Sequence, residues 1–174
     1  MKIRAAVLSA FGEPLDVVEL QLAEPGPEEV LVRLAWSGVC HSDQNAMNGK
    51  APTPMPAVLG HEGAGIVEAV GPGSWLRVGQ RVALSWAPAC GACEECNRGL
   101  RHLCGAAWPA MGAGGLMDST SRLSRDGETV FHYSFLSTFA EACVVPDASC
   151  VVIDDDAPLD VASIVGCAVT TGIG

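Results

Sequence analysis

Val58-Leu59-Gly60-His61-Glu62-Gly63-Ala64-Gly65-Ile66-Val67-Glu68-Ala69-Val70-Gly71 sets a histidine and a carboxylate side by side at the mouth of an apolar run, Ile66 to Val70, that reads as a strand between glycines. Imidazole and carboxylate both ligate first-row metal ions, and Zn²⁺ combines them readily with cysteine thiolate. Two of the eight cysteines are candidates to complete such a set. Cys40 lies in Gly38-Val39-Cys40-His41-Ser42-Asp43, 21 residues before His61, and Cys167 lies far downstream in Gly166-Cys167-Ala168-Val169-Thr170-Thr171. A Cys40, His61 and Cys167 site would leave one position for water, substrate or Glu62, the open coordination of a catalytic zinc. On spacing alone, the rival reading is a structural histidine beside Gly60.

A second group of cysteines is local. Cys90-Gly91-Ala92-Cys93-Glu94-Glu95-Cys96 followed by Cys104 spells C-x2-C-x2-C-x7-C, four soft ligands in one loop. That number closes a tetrahedral structural zinc with no vacancy. Iron is the chemical alternative, since four thiolates also hold an iron-sulfur cluster. Gly91 and Gly99 relieve the crowding of so tight a wrap. The expected role is stability, because metal binding would hold a lobe with little apolar core of its own. Cys143 and Cys150, among Ala, Val and Ser, read as buried inert thiols.

Composition narrows the class. At 174 residues, 49% of them apolar and 20 of them glycine, the chain fits one turn-rich globular domain. A net charge of -10 argues against a nucleic-acid partner, whose phosphates would be repelled. No apolar run reaches the roughly 18 to 20 residues of a membrane helix, and Met1-Lys2-Ile3-Arg4-Ala5 shows no secretory signal. The expectation is a cytoplasmic protein with reduced thiols rather than a disulfide framework.

Short β-branched and apolar runs at Ile3 to Leu8, Leu15 to Leu22 and Val30 to Trp36 are separated by Gly12-Glu13-Pro14 and Glu24-Pro25-Gly26-Pro27. That rhythm predicts a mainly β fold, an all-β barrel or sandwich. Ser37 to Pro56 breaks it, and Val78-Gly79-Gln80-Arg81-Val82 turns into a further strand reaching Trp86. The stretch from Gly105 to Gly127 reads as a long surface loop, and Tyr133 to Val145 returns to strand character. Asp154-Asp155-Asp156-Ala157-Pro158-Leu159 reads as a helix start with acidic caps, the helix running toward Thr171.

Taken together, Gly60-His61-Glu62-x-x-Gly65 with Gly71, the upstream Gly-Val-Cys40-His-Ser-Asp and the cysteine lobe resemble the zinc-dependent alcohol dehydrogenases of the medium-chain dehydrogenase/reductase superfamily. The likeness runs from about Arg4 to the last residue. It implies a GroES-like β-barrel, one catalytic zinc on Cys40, His61 and Cys167, and one structural zinc on Cys90, Cys93, Cys96 and Cys104. It also implies NAD(P) as hydride acceptor, a small alcohol or aldehyde as substrate, and a homo-oligomer for the intact protein. Ser42 would contact the substrate oxygen and begin a proton relay. The next relay histidine of many such enzymes is replaced by Asn45, whose amide cannot exchange a proton near neutral pH as imidazole can.

Glu62 would be an alternating ligand or an outer carboxylate, in either case metal-associated. Asp43 would orient the ligating histidine, with a turn or helix cap as its plainer reading. His41 would stand near the coenzyme pyrophosphate or else be an exposed loop histidine, and Thr171 would pack against the nicotinamide. Trp86 would wall the substrate pocket or belong to the core. Leu116-Met117-Asp118-Ser119-Thr120-Ser121-Arg122 resembles the class III, glutathione-dependent formaldehyde dehydrogenases. Where that branch holds glutathione's carboxylate with an arginine, this chain has Trp108, which points instead to an apolar or aromatic alcohol.

The expected layout is a catalytic domain over 1–153, with the zinc lobe at about 88–106, and the start of a linking helix over 154–174. The resembled enzymes continue into a Rossmann domain with a Gly-x-Gly-x-x-Gly turn. Gly112-Ala113-Gly114-Gly115 is no substitute, since it neither follows a predicted strand nor opens a helix. The expectation is therefore a fragment with negligible turnover by itself. A non-catalytic zinc-stapled β-barrel, used for binding or assembly, is the alternative. Cys40, His61 and Cys167 lying apart would favour it.

Overall fold

A computed structural model describes residues 1–174. The chain runs β1 (Lys2–Leu8), β2 (Asp16–Leu22), β3 (Glu29–Ser37), α1 (His41–Met47), β4 (Ala57–Val58), β5 (Gly63–Val70) and β6 (Arg81–Leu84). Then follow α2 (Glu94–Asn97), α3 (Ala107–Gly112), β7 (Leu123–Arg125), β8 (Glu128–His132), β9 (Ala142–Pro146), β10 (Cys150–Val152), α4 (Leu159–Ser163), a π-helical turn (Val165–Val169) and α5 (Thr170–Ile173). Strands β1, β2, β7, β8 and β4 close a barrel in that order. A second sheet runs β10-β6-β5-β3-β9. The mainly β expectation holds, and the barrel is the form it takes.

Alternation in sequence becomes alternation of faces. In β1, Ile3, Ala5 and Val7 are buried while Lys2 and Arg4 are exposed, and in β2 Leu20 and Leu22 point inward past exposed Glu19 and Gln21. By contrast, all five residues of β9 are buried and the first four of β3 are too. One cluster of 27 buried apolar residues joins both sheets into a single core.

The register of this sheet builds the site. β3 and β5 are antiparallel, and the pairing of Ser37 with Gly63 puts the end of one strand beside the start of the other. Residues 38–40, leaving β3, and residues 60–62, leading into β5, therefore emerge at the same corner. Cys40 is brought to His61 by strand pairing and not by any local motif. α4 packs across β5, β3 and β6, and the π-helical turn that follows it carries Cys167 to that corner from the other side.

Three sequence expectations need correction. The span from Gly105 to Gly127 is not a surface loop: it contains α3 and β7, and Ala107, Ala110 and Leu116 are buried. Its small residues let a helix pack closely, a use that composition does not distinguish from a flexible loop. Tyr133 to Val145 is strand only from Ala142. The segment before it folds irregularly, with Ser134, Phe135 and Ser137 at positive φ, so it turns inward instead of extending. The C-terminal helix starts at Leu159 behind Pro158, with no side-chain cap from the aspartates, and a π-helical turn interrupts it at Val165–Val169.

Buried His132 ties the barrel together. Its Nε2 accepts the Arg122 backbone N–H at 3.2 Å, and its Nδ1 lies 3.2 Å from the Ser137 hydroxyl. Burial, aided by the nearby Arg122 cation, drives its pKa down to about 3, so the folded protein keeps this imidazole neutral. In the unfolded chain it takes a proton at its ordinary value of 6.5. Its contribution is therefore fully present above pH 6.5 and erodes toward pH 3, at up to about 1.4 kcal/mol per pH unit. Urea unfolding at pH 7 and pH 5 measures this: the loss on acidification is expected to be smaller in His132→Gln than in the unaltered chain.

Candidate metal centres

The local centre forms as its spacing demanded. One ligand atom from each of Cys90, Cys93, Cys96 and Cys104 lies within 4.8 Å of all the others. Cys93 is the N-cap of helix α2, which carries Cys96, and a 3₁₀ turn at Arg101–Leu103 returns the chain to Cys104. Gly91 and Gly99 take φ values of +73° and +80°, the left-handed turns that so short a wrap requires. Crowded sulfurs cannot all ionise together. Burial and neighbouring thiols push Cys96 up to about 11. Cys104 is instead lowered to about 6, because backbone N–H groups directed at its sulfur, among them that of Cys90 at 3.3 Å, outweigh its burial. A divalent cation would replace the retained protons and relieve the repulsion.

The second centre is assembled from three distant segments. Cys40, His61, Glu62 and Cys167 also present ligand atoms all within 4.8 Å of one another. Cys40 caps α1, its sulfur accepting the Ser42 backbone N–H at 3.5 Å with the Ser42 hydroxyl 3.6 Å away. Burial opposes ionisation of Cys40, but the Ser42 contacts win and lower its pKa. The Cys167 sulfur, 3.9 Å from that of Cys40, is raised to about 12 by burial and by the charge on Cys40. One thiolate thus suppresses the other until a cation is shared.

Asp43 makes the contacts of both its readings, a helix cap and a hydrogen bond to His61. Its Oδ2 accepts the Cys40 backbone N–H at 2.9 Å, completing a capping box. Its Oδ1 accepts from the Gly60 N–H and from His61 Nδ1, each at 3.1 Å. With Nδ1–H committed to Asp43, Nε2 is the ring nitrogen left for a metal. Burial disfavours the imidazolium, yet the Asp43 carboxylate and Cys40 prevail and raise the His61 pKa above its ordinary value.

Glu62 is the decisive residue for fit. It is 2% exposed, and its Oε1 has no hydrogen-bond partner. An unsatisfied buried carboxylate oxygen is costly, and here it sits among two thiols and an imidazole. A side chain at Gly38 would collide with the other oxygen, Oε2, so glycine there is what admits the carboxylate to the cluster. The donor set fits Zn²⁺.

The remaining predicted residues disperse. His41 is exposed as the first residue of α1, with its Nδ1 3.5 Å from the Asn45 amide nitrogen, and Thr171 is exposed on α5. Trp86 is partly buried against the core, as its plainer reading expected, and also meets Trp108 edge to face at 6.4 Å. The two indoles border an apolar slot with Pro88, Ala107, Met111 and Phe135. Tyr133 escaped sequence reasoning altogether. Its hydroxyl donates to the Ser42 carbonyl at 3.1 Å, and its ring stands edge-on to His61 at 5.6 Å. No motif marks it.

Residues 26–155 match the alcohol dehydrogenase GroES-like domain. The chain belongs to that family. Over its whole length it is 41% identical to an S-(hydroxymethyl)glutathione dehydrogenase of Paracoccus denitrificans and 43% identical to one of Synechocystis, covering 47% and 48% of those proteins. Among solved structures it superposes with a TM-score of 0.92 on an alcohol dehydrogenase zinc-binding domain protein of Burkholderia ambifaria, at 35% identity. The score is 0.90, at 34% identity, for a benzyl alcohol dehydrogenase of Acinetobacter calcoaceticus. Each superposition covers 99% of this chain and 47% or 46% of the other. This GroES-like chain thus spans about half the length of the curated relatives it matches.

Proposed function

We propose that this chain is the metal- and alcohol-binding part of a zinc- and NAD(P)-dependent alcohol dehydrogenase that interconverts a primary alcohol and its aldehyde. The observation that carries the reading is the convergence of Cys40, His61, Glu62 and Cys167 at one corner of the fold. The assembly-module alternative would have been favoured by sulfurs and imidazole lying apart, and they do not. A zinc ion held by Cys40, His61 and Cys167 would supply Lewis-acid polarisation of the alcohol oxygen, and the four lobe cysteines would hold a second, structural ion.

The chain's own residues do the rest. Asp43 fixes the tautomer and tilt of His61, and Ser42, exposed beside Cys40, stands where a hydroxyl can accept the alcohol proton and release it to water. Asn45 cannot continue a proton relay, so solvent at the exposed face of α1 is the acceptor. Tyr133 does not replace it, because burial and nearby acidic groups raise its phenol to about 12. Hydride acceptance belongs to NAD(P), whose binding unit these 174 residues do not form.

The substrate reading favours an aromatic alcohol over S-(hydroxymethyl)glutathione, because the Trp86 and Trp108 pair offers apolar faces and no cation. In the protein that joins this chain to its coenzyme-binding part, Trp108→Arg is expected to lower kcat/KM for benzyl alcohol by about tenfold. Equal activity of both forms toward benzyl alcohol would remove the substrate assignment. Metal analysis of the purified chain tests the larger claim: two zinc ions are expected, one lost in Cys40→Ala and the other in Cys93→Ala. A single ion that survives Cys40→Ala would eliminate the catalytic centre.

A further inference from the structure

The backbone carbonyl of Glu62 is the most heavily engaged acceptor at the site. It receives the Gly38 N–H at 3.1 Å, the Ser37 hydroxyl at 3.0 Å and the Thr138 hydroxyl at 3.0 Å. The two hydroxyl oxygens are also 2.8 Å from each other. Two hydroxyl protons cannot satisfy all three hydroxyl contacts at once, so the pair either shares the carbonyl or passes one bond through the other. Thr138 is 1% exposed and wedged between the glycines that flank the His61-Glu62 dipeptide: a side chain at Gly60 would press on its Oγ1, and one at Gly63 on its Cγ2. Its own N–H donates to the Gly60 carbonyl at 3.0 Å. Thr138 thus grips both ends of the dipeptide, while Ser37, the last residue of β3, holds it to the strand that leads to Cys40.

The Glu62 side chain is held less firmly: Oε1 has no partner, and the carboxylate meets only Cys167 and the space left open at Gly38, so the placement of its backbone bears directly on where it points. We infer that Ser37 and Thr138 are positioning residues that aim the Glu62 carboxylate into the Cys40, His61 and Cys167 centre by clamping the Glu62 carbonyl. The inference rests on the metal-centre reading above. It assigns no contact between either hydroxyl and substrate or metal. Thr138→Val keeps the wedge and removes only the hydroxyl, and the Gly38 N–H still satisfies the carbonyl, so the clamp can be released without opening a cavity.

The test uses the purified chain loaded with Co²⁺, whose visible absorption reports the centre, with affinity measured by competition against a chelator. Ser37→Ala combined with Thr138→Val is expected to weaken binding at the Cys40, His61 and Cys167 centre by about tenfold or more. The four-cysteine lobe should keep its ion. In a Glu62→Gln background the same pair should change the affinity by less than about twofold, since a positioning residue has nothing left to position. Unchanged affinity, or an equal loss in the Glu62→Gln background, would overturn the inference. Should the combined variant not fold, Thr138→Val alone, made with and without Glu62→Gln, measures the same coupling and decides between the same two outcomes. A chain whose Co²⁺ binding is indifferent to Cys40→Ala would instead refute the metal centre itself.

Discussion

Cys104→Ala is expected to release the lobe ion and unfold residues 88–106 while the barrel stays folded. Binding of a structural zinc to small domains is worth about 10–16 kcal/mol at neutral pH, and that free energy is folding free energy. The lobe has little else. Between Ala89 and Cys104 no residue other than these two is buried, and α2 buries none of its four residues, so little apolar contact compensates for a lost ligand. Cys104 is also the sulfur most favoured to ionise, and its removal leaves Cys96, the thiol most reluctant to do so, in the remaining set. The measurement is metal content together with limited proteolysis. One zinc fewer per chain and new cleavage within 88–106 are expected, with the barrel fragment protected. Retention of both ions with an unchanged digest would show that packing, not metal, orders the lobe.

His61→Ala is expected to have the largest effect on chemistry. It removes a ligand and also strands Asp43, a carboxylate 2% exposed that would keep only the Cys40 and Gly60 N–H groups. Loss of an outer-sphere partner alone lowers affinity by about 10- to 100-fold, so Asp43→Asn sets the scale, and loss of the ligand itself should exceed it. On the dehydrogenase reading proposed above, with a coenzyme-binding domain joined to this chain, kcat/KM for the alcohol should fall by about a thousandfold or more, the equivalent of several kcal/mol of lost polarisation. The lobe zinc should remain, which separates this outcome from general unfolding. A variant with both ions and near-normal turnover would rule out His61 as a ligand.

What could be read from the sequence was whatever is local. Four thiols within fifteen residues converge whatever the rest of the chain does, because so short a loop cannot separate them, and the alternation in β1 and β2 declares its inward face residue by residue. The second centre was legible only through its likeness to known enzymes, since nothing in the spacing of Cys40, His61 and Cys167 brings them together. Their meeting is the work of the Ser37 and Gly63 pairing and of the π-helical turn behind α4. Small residues from Gly105 onward looked like a loop because glycine and alanine serve flexibility and close packing equally well. Only the position of α3 against the core decides between the two.

Composition and short-range pattern therefore determined the β class, the lobe and the set of possible ligands. The tertiary structure alone decided that Glu62 Oε1 is buried without a partner, that Tyr133 stands over His61, and that two hydroxyls 101 residues apart meet on one carbonyl. A serine or threonine carries no sequence mark of its role, because that role is set by the group the fold places opposite it.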